Sequence, residues 1–236
     1  MLQQMGFNEN QGNEFDIPVV KYATEKHVAC VFLLDISGSM VQNNAIGQLN
    51  EGLRVFKEQT LASLDKHAKA CIDVAVITFN DKIDLIQGFR PVEDMNIPKL
   101  EASGLTAMGG ALDMGMDLIT KQKKLYNEAG TPYFRPWLFC ITDGAPNDDY
   151  ILHAKRLRWM EDNKKAVAYC VGVDGFRADI MQTIFKPENI YGLKNCDFTS
   201  LFKFVSSSLD ALRNSTAETG ALNVETPESM FRVPLD

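Results

Sequence analysis

Four short stretches of this chain are apolar almost throughout: ACVFLLD (29–35), CIDVAVITF (71–79), PWLFCITD (136–143) and KAVAYCVGV (165–173). A strand with one wet face alternates apolar and polar residues, whereas a strand covered on both faces does not. These runs therefore read as buried strands. The segments between them carry a different period. In VQNNAIGQLNEGLRVFKEQTLASL, Ile46, Leu49, Leu53 and Phe56 recur at three- and four-residue spacings, which marks one face of a helix. MGGALDMGMDLITKQKKL, DDYILHAKRLRWMEDN, RADIMQTIF and DFTSLFKFVSSSLDALRNS read as further helices, with Asp148 or Asp149 capping the second of these and Asp197 the last. NIYGL reads as one more short strand. Buried strands alternating with helices imply an α/β fold of three layers, a mostly parallel central sheet with helices on both faces.

One feature breaks the parallel pattern. NDK (80–82) is a tight turn leading straight into IDLIQGF, so these strands form a hairpin and one edge strand is antiparallel. Residues 1–17 are polar and rich in Asn and Gln and read as an arm; 18–213 form a single domain; 214–236 lose periodicity and read as an extension. In that extension SMFRVPL is suited to docking either on its own domain or on a partner, and the sequence does not choose.

The 236 residues are 45% hydrophobic and carry a net charge of −7, enough apolar material for a sizeable core and an acidic balance that argues against nucleic acid or an anionic membrane as partner. The five cysteines form no CxxC pair and lie in or beside apolar runs, so they read as reduced, packed thiols. There is no signal-peptide pattern and no run of about 18 apolar residues, which makes a cytoplasmic location the default expectation.

Two of the buried runs end in a carboxylate, Asp35 and Asp143. In an open parallel sheet, ligands bind outside the carboxyl ends of the strands. If the two strands are neighbours, their carboxylates converge and repel each other unless a cation lies between. Ser37 and Ser39 follow Asp35 on alternate positions, and Thr106 sits in the glycine-rich loop SGLTAMGGAL. Alone, Thr106 reads equally well as the cap of the helix that starts near Met108. Together the five residues offer only oxygen, a set suited to a hard divalent cation with room left for water or an incoming ligand. The three histidines, His27, His67 and His153, fall outside this set.

DISGSM, Thr106 and TDG (142–144) resemble the metal-ion-dependent adhesion site of von Willebrand factor type A domains: Asp-x-Ser-x-Ser, a distant Thr, a later Asp. The resemblance covers roughly residues 28–212. It implies a Rossmann-like sheet, a cation held by Asp35, Ser37, Ser39, Thr106 and Asp143, and a partner protein whose carboxylate completes the metal shell. It also implies Mg²⁺ as the cation inside cells, with Mn²⁺ and Ca²⁺ accepting the same ligands, and a non-enzymatic role. The wording LLDISGSM, VITFND, GLTAMGGAL and TDGAPNDD is similar to bacterial and phage stand-alone proteins of the tellurium-resistance-associated group, which implies phosphatase- or kinase-like partners in stress response or phage-related systems.

Two other functions compete. A magnesium-dependent phosphatase or hydrolase would use the strand-end Asp as nucleophile. DISGS, however, has no second carboxylate two residues on, and neither a general base at recognisable spacing nor a Walker-type GxxxxGK[ST] is present. A purely structural metal would tie the loops together without gating any partner.

Overall fold

The computed structural model describes residues 20–63, 66–173, 175–214 and 225–233. The arm assigned to residues 1–17 lies outside the described residues, as do 215–224 and 234–236 of the extension. In chain order the elements are β1 (Val28–Asp35), α1 (Ala45–Ser63), α2 (Lys66–Ala70), β2 (Ile72–Phe79), β3 (Ile83–Pro91), α3 (Met108–Glu128), β4 (Trp137–Thr142), α4 (Ile151–Asp162), β5 (Val167–Gly172), α5 (Ala178–Ile184), β6 (Ile190–Leu193), α6 (Phe198–Asn214) and β7 (Met230–Arg232).

The strands form one sheet in the order β3-β2-β1-β4-β5-β6-β7. The inner five are parallel, and every residue of β1, β2 and β4 is buried. The non-alternating runs are thus explained: both faces are covered. Along β1, Cys30, Phe32 and Leu34 face a core shared with α1 and α6, built around Phe56, Phe198 and Phe202. Val31 and Leu33 face the other core, shared with α3, α4 and α5 through Leu112, Met116, Leu157 and Met181. α1 and α6 approach closely at Gly52, where a Cβ would stand 2.7 Å from atoms of Phe198 and Phe202.

β3 is the predicted antiparallel edge, its turn held by the Asn80 side chain accepting from the Lys82 N–H at 2.9 Å. The opposite edge is antiparallel too, because the tail folds back as β7 against β6. Met230 is buried there, and the Phe231 ring covers Gly192, where a Cβ would lie 2.2 Å from it. Three residues are too few to show a period, which is why the sequence leaves the docking of SMFRVPL open.

The caps follow the sequence in part. Asp197 accepts from the Ser200 N–H at 3.1 Å at the start of α6, as predicted. Asp149 accepts from the Ile151 N–H at 3.2 Å where α4 begins. Asp148 caps a different helix from the one expected: its two oxygens accept from Gly109 and Gly110 at 3.0 and 2.9 Å, at the start of α3. All five cysteines are buried and none forms a disulfide. No helix among the described residues is long and apolar enough to cross a membrane.

Candidate metal centre

From β1 the chain moves outward to β2 and β3 on one side, then returns through α3 to β4 on the other side of β1, so β1/β4 is the point where the sheet order reverses. A crevice opens there at the carboxyl ends of the strands. Asp35 is the last residue of β1, and Asp143 follows the last residue of β4. The expected convergence of the two carboxylates holds.

Asp35 is fully buried. One of its oxygens accepts from the Ser37 N–H at 2.8 Å and the other from the Thr142 hydroxyl at 2.6 Å. The Ser37 and Ser39 hydroxyls lie 3.1 Å apart, and Ser39 donates to an Asp143 oxygen at 2.8 Å. Thr106 is buried, and its hydroxyl is 3.9 Å from where a Cβ on Gly144 would stand, so it faces the turn that carries Asp143. It does not cap α3; that helix begins at Met108, its N-cap position is Ala107 with no side-chain cap bond, and Asp148 supplies its acceptors. All five sequence-predicted residues therefore meet at one crevice.

The electrostatics favour a cation. Burial pushes the Asp35 carboxyl up to about 6, against the pull of hydrogen bonds from Ser37 and Thr142, and the nearby negative charge of Asp143 adds to the rise. Burial raises Asp143 as well, opposed by the bond from Ser39. None of the ion pairs among the described residues reaches either carboxylate. Two carboxylates held close in a buried crevice without a basic partner suit a divalent ion.

The spacing also fits. The Ser37–Ser39 and Ser39–Asp143 separations of 3.1 and 2.8 Å bring three oxygens close enough to share one hard cation. The mouth is a small pocket of about 220 Å³ lined by Ser39, Gln42, Asn43, Asp143, Gly175 and Cys196 among others. Among the described residues no three His, Cys, Asp or Glu side chains converge as a metal cluster, so the site relies on hydroxyl oxygens for most of its donors. The histidines make their contacts elsewhere: His27 with Asp73, His153 with Asp113, and His67 stacked on Tyr22.

Three supporting residues escaped the sequence reading, and a fourth, Asp148, was assigned there to another helix. Thr142 looks like strand filler, yet its hydroxyl orients Asp35. Asn147 clamps Thr106 by accepting from its N–H at 3.2 Å and donating its own N–H to the Thr106 carbonyl at 3.0 Å. Asp148 anchors the helix that follows Thr106. Asp81 accepts from the Leu105 N–H at 2.7 Å, and its carboxylate would be 2.5 Å from a Cβ on Gly104, whose φ of +79° already calls for glycine. The loops are further joined by backbone bonds Gly38 N–H to the Gly104 carbonyl (3.0 Å) and Ser103 N–H to the Ile36 carbonyl (2.8 Å). The acidic and amide residues of TDGAPNDD were the available signal, but spacing alone does not say which loop each one serves.

No protein-family model matches the sequence, and no curated protein matches it. Solved structures do. The vWF domain of the type V pili tip protein Mfa5 from Porphyromonas gingivalis aligns with a TM-score of 0.57 and 9% identity over 82% of this chain and 98% of that one. Manganese-loaded TRAP protein from Plasmodium vivax aligns with a TM-score of 0.52 and 17% identity, over 75% of this chain and 72% of that one. Proximal thread matrix protein 1 from the mussel byssus, with a zinc-occupied MIDAS motif, gives 0.52 and 18% over 83% of this chain. The chain spans about half the length of the byssus protein, 47% in that alignment. The fold is that of a von Willebrand factor type A domain, a Rossmann-like α/β sandwich.

Proposed function

We propose that this protein is a protein-interaction module gated by a divalent cation, with Mg²⁺ held by Asp35, Ser37, Ser39, Thr106 and Asp143. The observation that carries the reading is the unbroken chain of contacts from Thr142 through Asp35 and from Ser37 through Ser39 to Asp143, built from residues of two neighbouring strand ends. When bound, the ion supplies a fixed positive charge with a coordination position open to a carboxylate oxygen of the partner. The chain's own residues prepare that charge. Ser37 N–H and Thr142 hold the Asp35 carboxylate rigid, and Asn147 and Asp81 pin the loop that presents Thr106. The metal-loaded and zinc-occupied relatives support a metal here, and pili-tip and matrix relatives support an adhesive use of this fold.

The module is not an enzyme in this reading. No histidine approaches the crevice to serve as a general base. The wording of the motifs favours a cytoplasmic role in the tellurite or stress response or in phage-related systems, with phosphatase- or kinase-like partners.

The test is affinity capture from the native host's lysate with wild type in Mg²⁺, wild type in EDTA, and Asp35→Ala in Mg²⁺. The reading expects a partner retained by the first alone. The same retained set in all three would show that the metal crevice is not the binding surface.

A further inference from the structure

The fold does not need a tryptophan at position 159. Helix α4 turns Ala154, Leu157 and Met160 into the core, where all three are buried. Trp159 stands on the outer side of the helix, 58% exposed, while the chain's other tryptophan, Trp137, is fully buried. Tryptophan is well buried on average, and it is among the residues most enriched at the energetic centres of protein interfaces. Trp159 also forms a ridge between two grooves. One, of about 680 Å³, lies between α3 and α4 and takes in Lys123, Lys124, Arg156 and Lys165. The other, of about 550 Å³, lies between α4 and α5 and takes in Lys155 and Arg158.

These grooves are basic in a chain whose net charge is −7. Against the six Lys and Arg side chains they hold two carboxylates, Glu128 and Asp162. Arg156 is engaged by Asp113 and Asp117 at 2.6 Å each, and Lys124 meets Glu128 at 3.7 Å. Lys123, Lys155, Arg158 and Lys165 take part in none of the ion pairs among the described residues. Lys123 donates instead to the Lys165 carbonyl at 3.0 Å, and Arg158 to the carbonyls of Gln182 (2.9 Å) and Phe185. Burial, with the like charges of Lys165 and Arg135, holds the Lys123 ammonium below the usual lysine value, so the groove is short of negative charge. The surface is also remote from the metal end. At 1.5 Å per residue, Lys123 lies about 22 Å along α3 from Met108, and Trp159 about 12 Å along α4 from Ile151. Neither groove includes a candidate metal ligand.

A small anion would use the charge and leave Trp159 wet, and a nucleic acid would meet the negative charge of the rest of the protein. An acidic protein segment with one large apolar side chain uses both features, its carboxylates facing the lysines and its anchor covering Trp159. We propose that the α4 face around Trp159 is a second docking surface, independent of the cation, for a partner segment that is acidic and carries an aromatic or large aliphatic anchor. The two surfaces are separate, so this one stands whether or not the metal-gated reading does.

The experiment is selection of a random peptide library, displayed on phage, against the full chain in EDTA. The selected peptides are then titrated against wild type with and without Mg²⁺, and against Asp35→Ala, Trp159→Ser and the double change Lys155→Glu/Lys165→Glu. Iodide quenching reports on Trp159 itself, because Trp137 is fully buried. The expected result is enrichment of peptides with several Asp or Glu around an aromatic or large aliphatic residue. Their affinity should be the same with and without Mg²⁺ and in Asp35→Ala. It should fall about thirtyfold or more in Trp159→Ser, the size of an interface hot spot, and about tenfold in the double variant. Bound peptide should shield Trp159 from iodide. Trp159, Lys155 and Lys165 are all exposed, so these changes leave folding intact. No enrichment, enrichment of neutral or basic peptides, or full affinity in Trp159→Ser would overturn the proposal, as would loss of binding in Asp35→Ala. Oligoglutamate or single-stranded DNA binding as tightly as the selected peptides would reduce the face to a general anion site and overturn it as well.

Discussion

Asp35 pays for its burial in the metal-free protein, since one carboxylate is enclosed beside another with no basic residue to offset it. Asp35→Asn keeps the shape and removes the charge. Without metal that variant should unfold at higher denaturant than wild type, by about 1–3 kcal/mol. The same change should abolish the stabilisation that a cation confers on wild type, so two denaturation series, with and without Mg²⁺, check both signs. A second buried group behaves in the opposite way. His27 presents one ring nitrogen to the Asp73 carboxylate at 2.7 Å and the other to the Lys21 carbonyl at 2.9 Å, and Tyr126 donates to the same Asp73 oxygen at 2.5 Å. Both ring nitrogens face acceptors, so both carry protons and the imidazole is cationic. Burial opposes this charge most strongly, but the bonds and charges of Asp73 and Cys71 together outweigh it and lift His27 to about 10. A raised folded-state value contributes stability that is complete below the unfolded value near 6.5 and is lost as pH rises through the folded one. Unfolding free energy should therefore fall by a few kcal/mol, on the order of 2–4, between about pH 7 and pH 10. His27→Gln should flatten that slope; an unchanged slope would place the dependence elsewhere. At this scale the five candidate ligands were legible because each is chemically marked. Thr142 and the His27–Asp73 pair were not, because a threonine or a histidine near an apolar run looks the same whether or not its polar atoms have a partner.

Among the elements, α3 links packing to the site. It starts two residues after Thr106, and its first free N–H groups are taken up by Asp148 from a different loop. Asp148→Ala should cost about 1–2 kcal/mol, as lost caps do, and should also weaken cation affinity although no candidate ligand is removed. Denaturation and a metal titration on the one variant check the pair. On the other face of the sheet, Phe32 meets Phe56 and Phe202 with ring centroids 5.3 Å away in each case. Phe32→Ala should cost about 3–5 kcal/mol through the cavity it leaves, measured by urea unfolding. Periodicity exposed the helices and the hairpin because they are long or bounded by clear turn residues. β7 and the destination of Asp148 were hidden for one shared reason: each is fixed by a neighbour remote in sequence, Gly192 in one case and Gly109–Gly110 in the other.

Taken whole, the molecule brings its candidate ligands together where the strand order reverses. Strand runs that never alternate required a sheet covered on both faces, and that much was readable from composition along the chain. The order β3-β2-β1-β4-β5-β6-β7 was not written in any single run. The adjacency of β1 and β4 stood only as a condition in the sequence, which said what two strand-end carboxylates with hydroxyls nearby would do if their strands were neighbours; the sheet supplies it. The central claim is that this crevice binds one divalent cation through five oxygens. Its most direct test is calorimetric titration of Mg²⁺ and Mn²⁺ into wild type and into Asp143→Ala. The account predicts a single saturable site in wild type for both ions and its loss in Asp143→Ala. Absence of binding in wild type, or binding that is the same in both proteins, would contradict it.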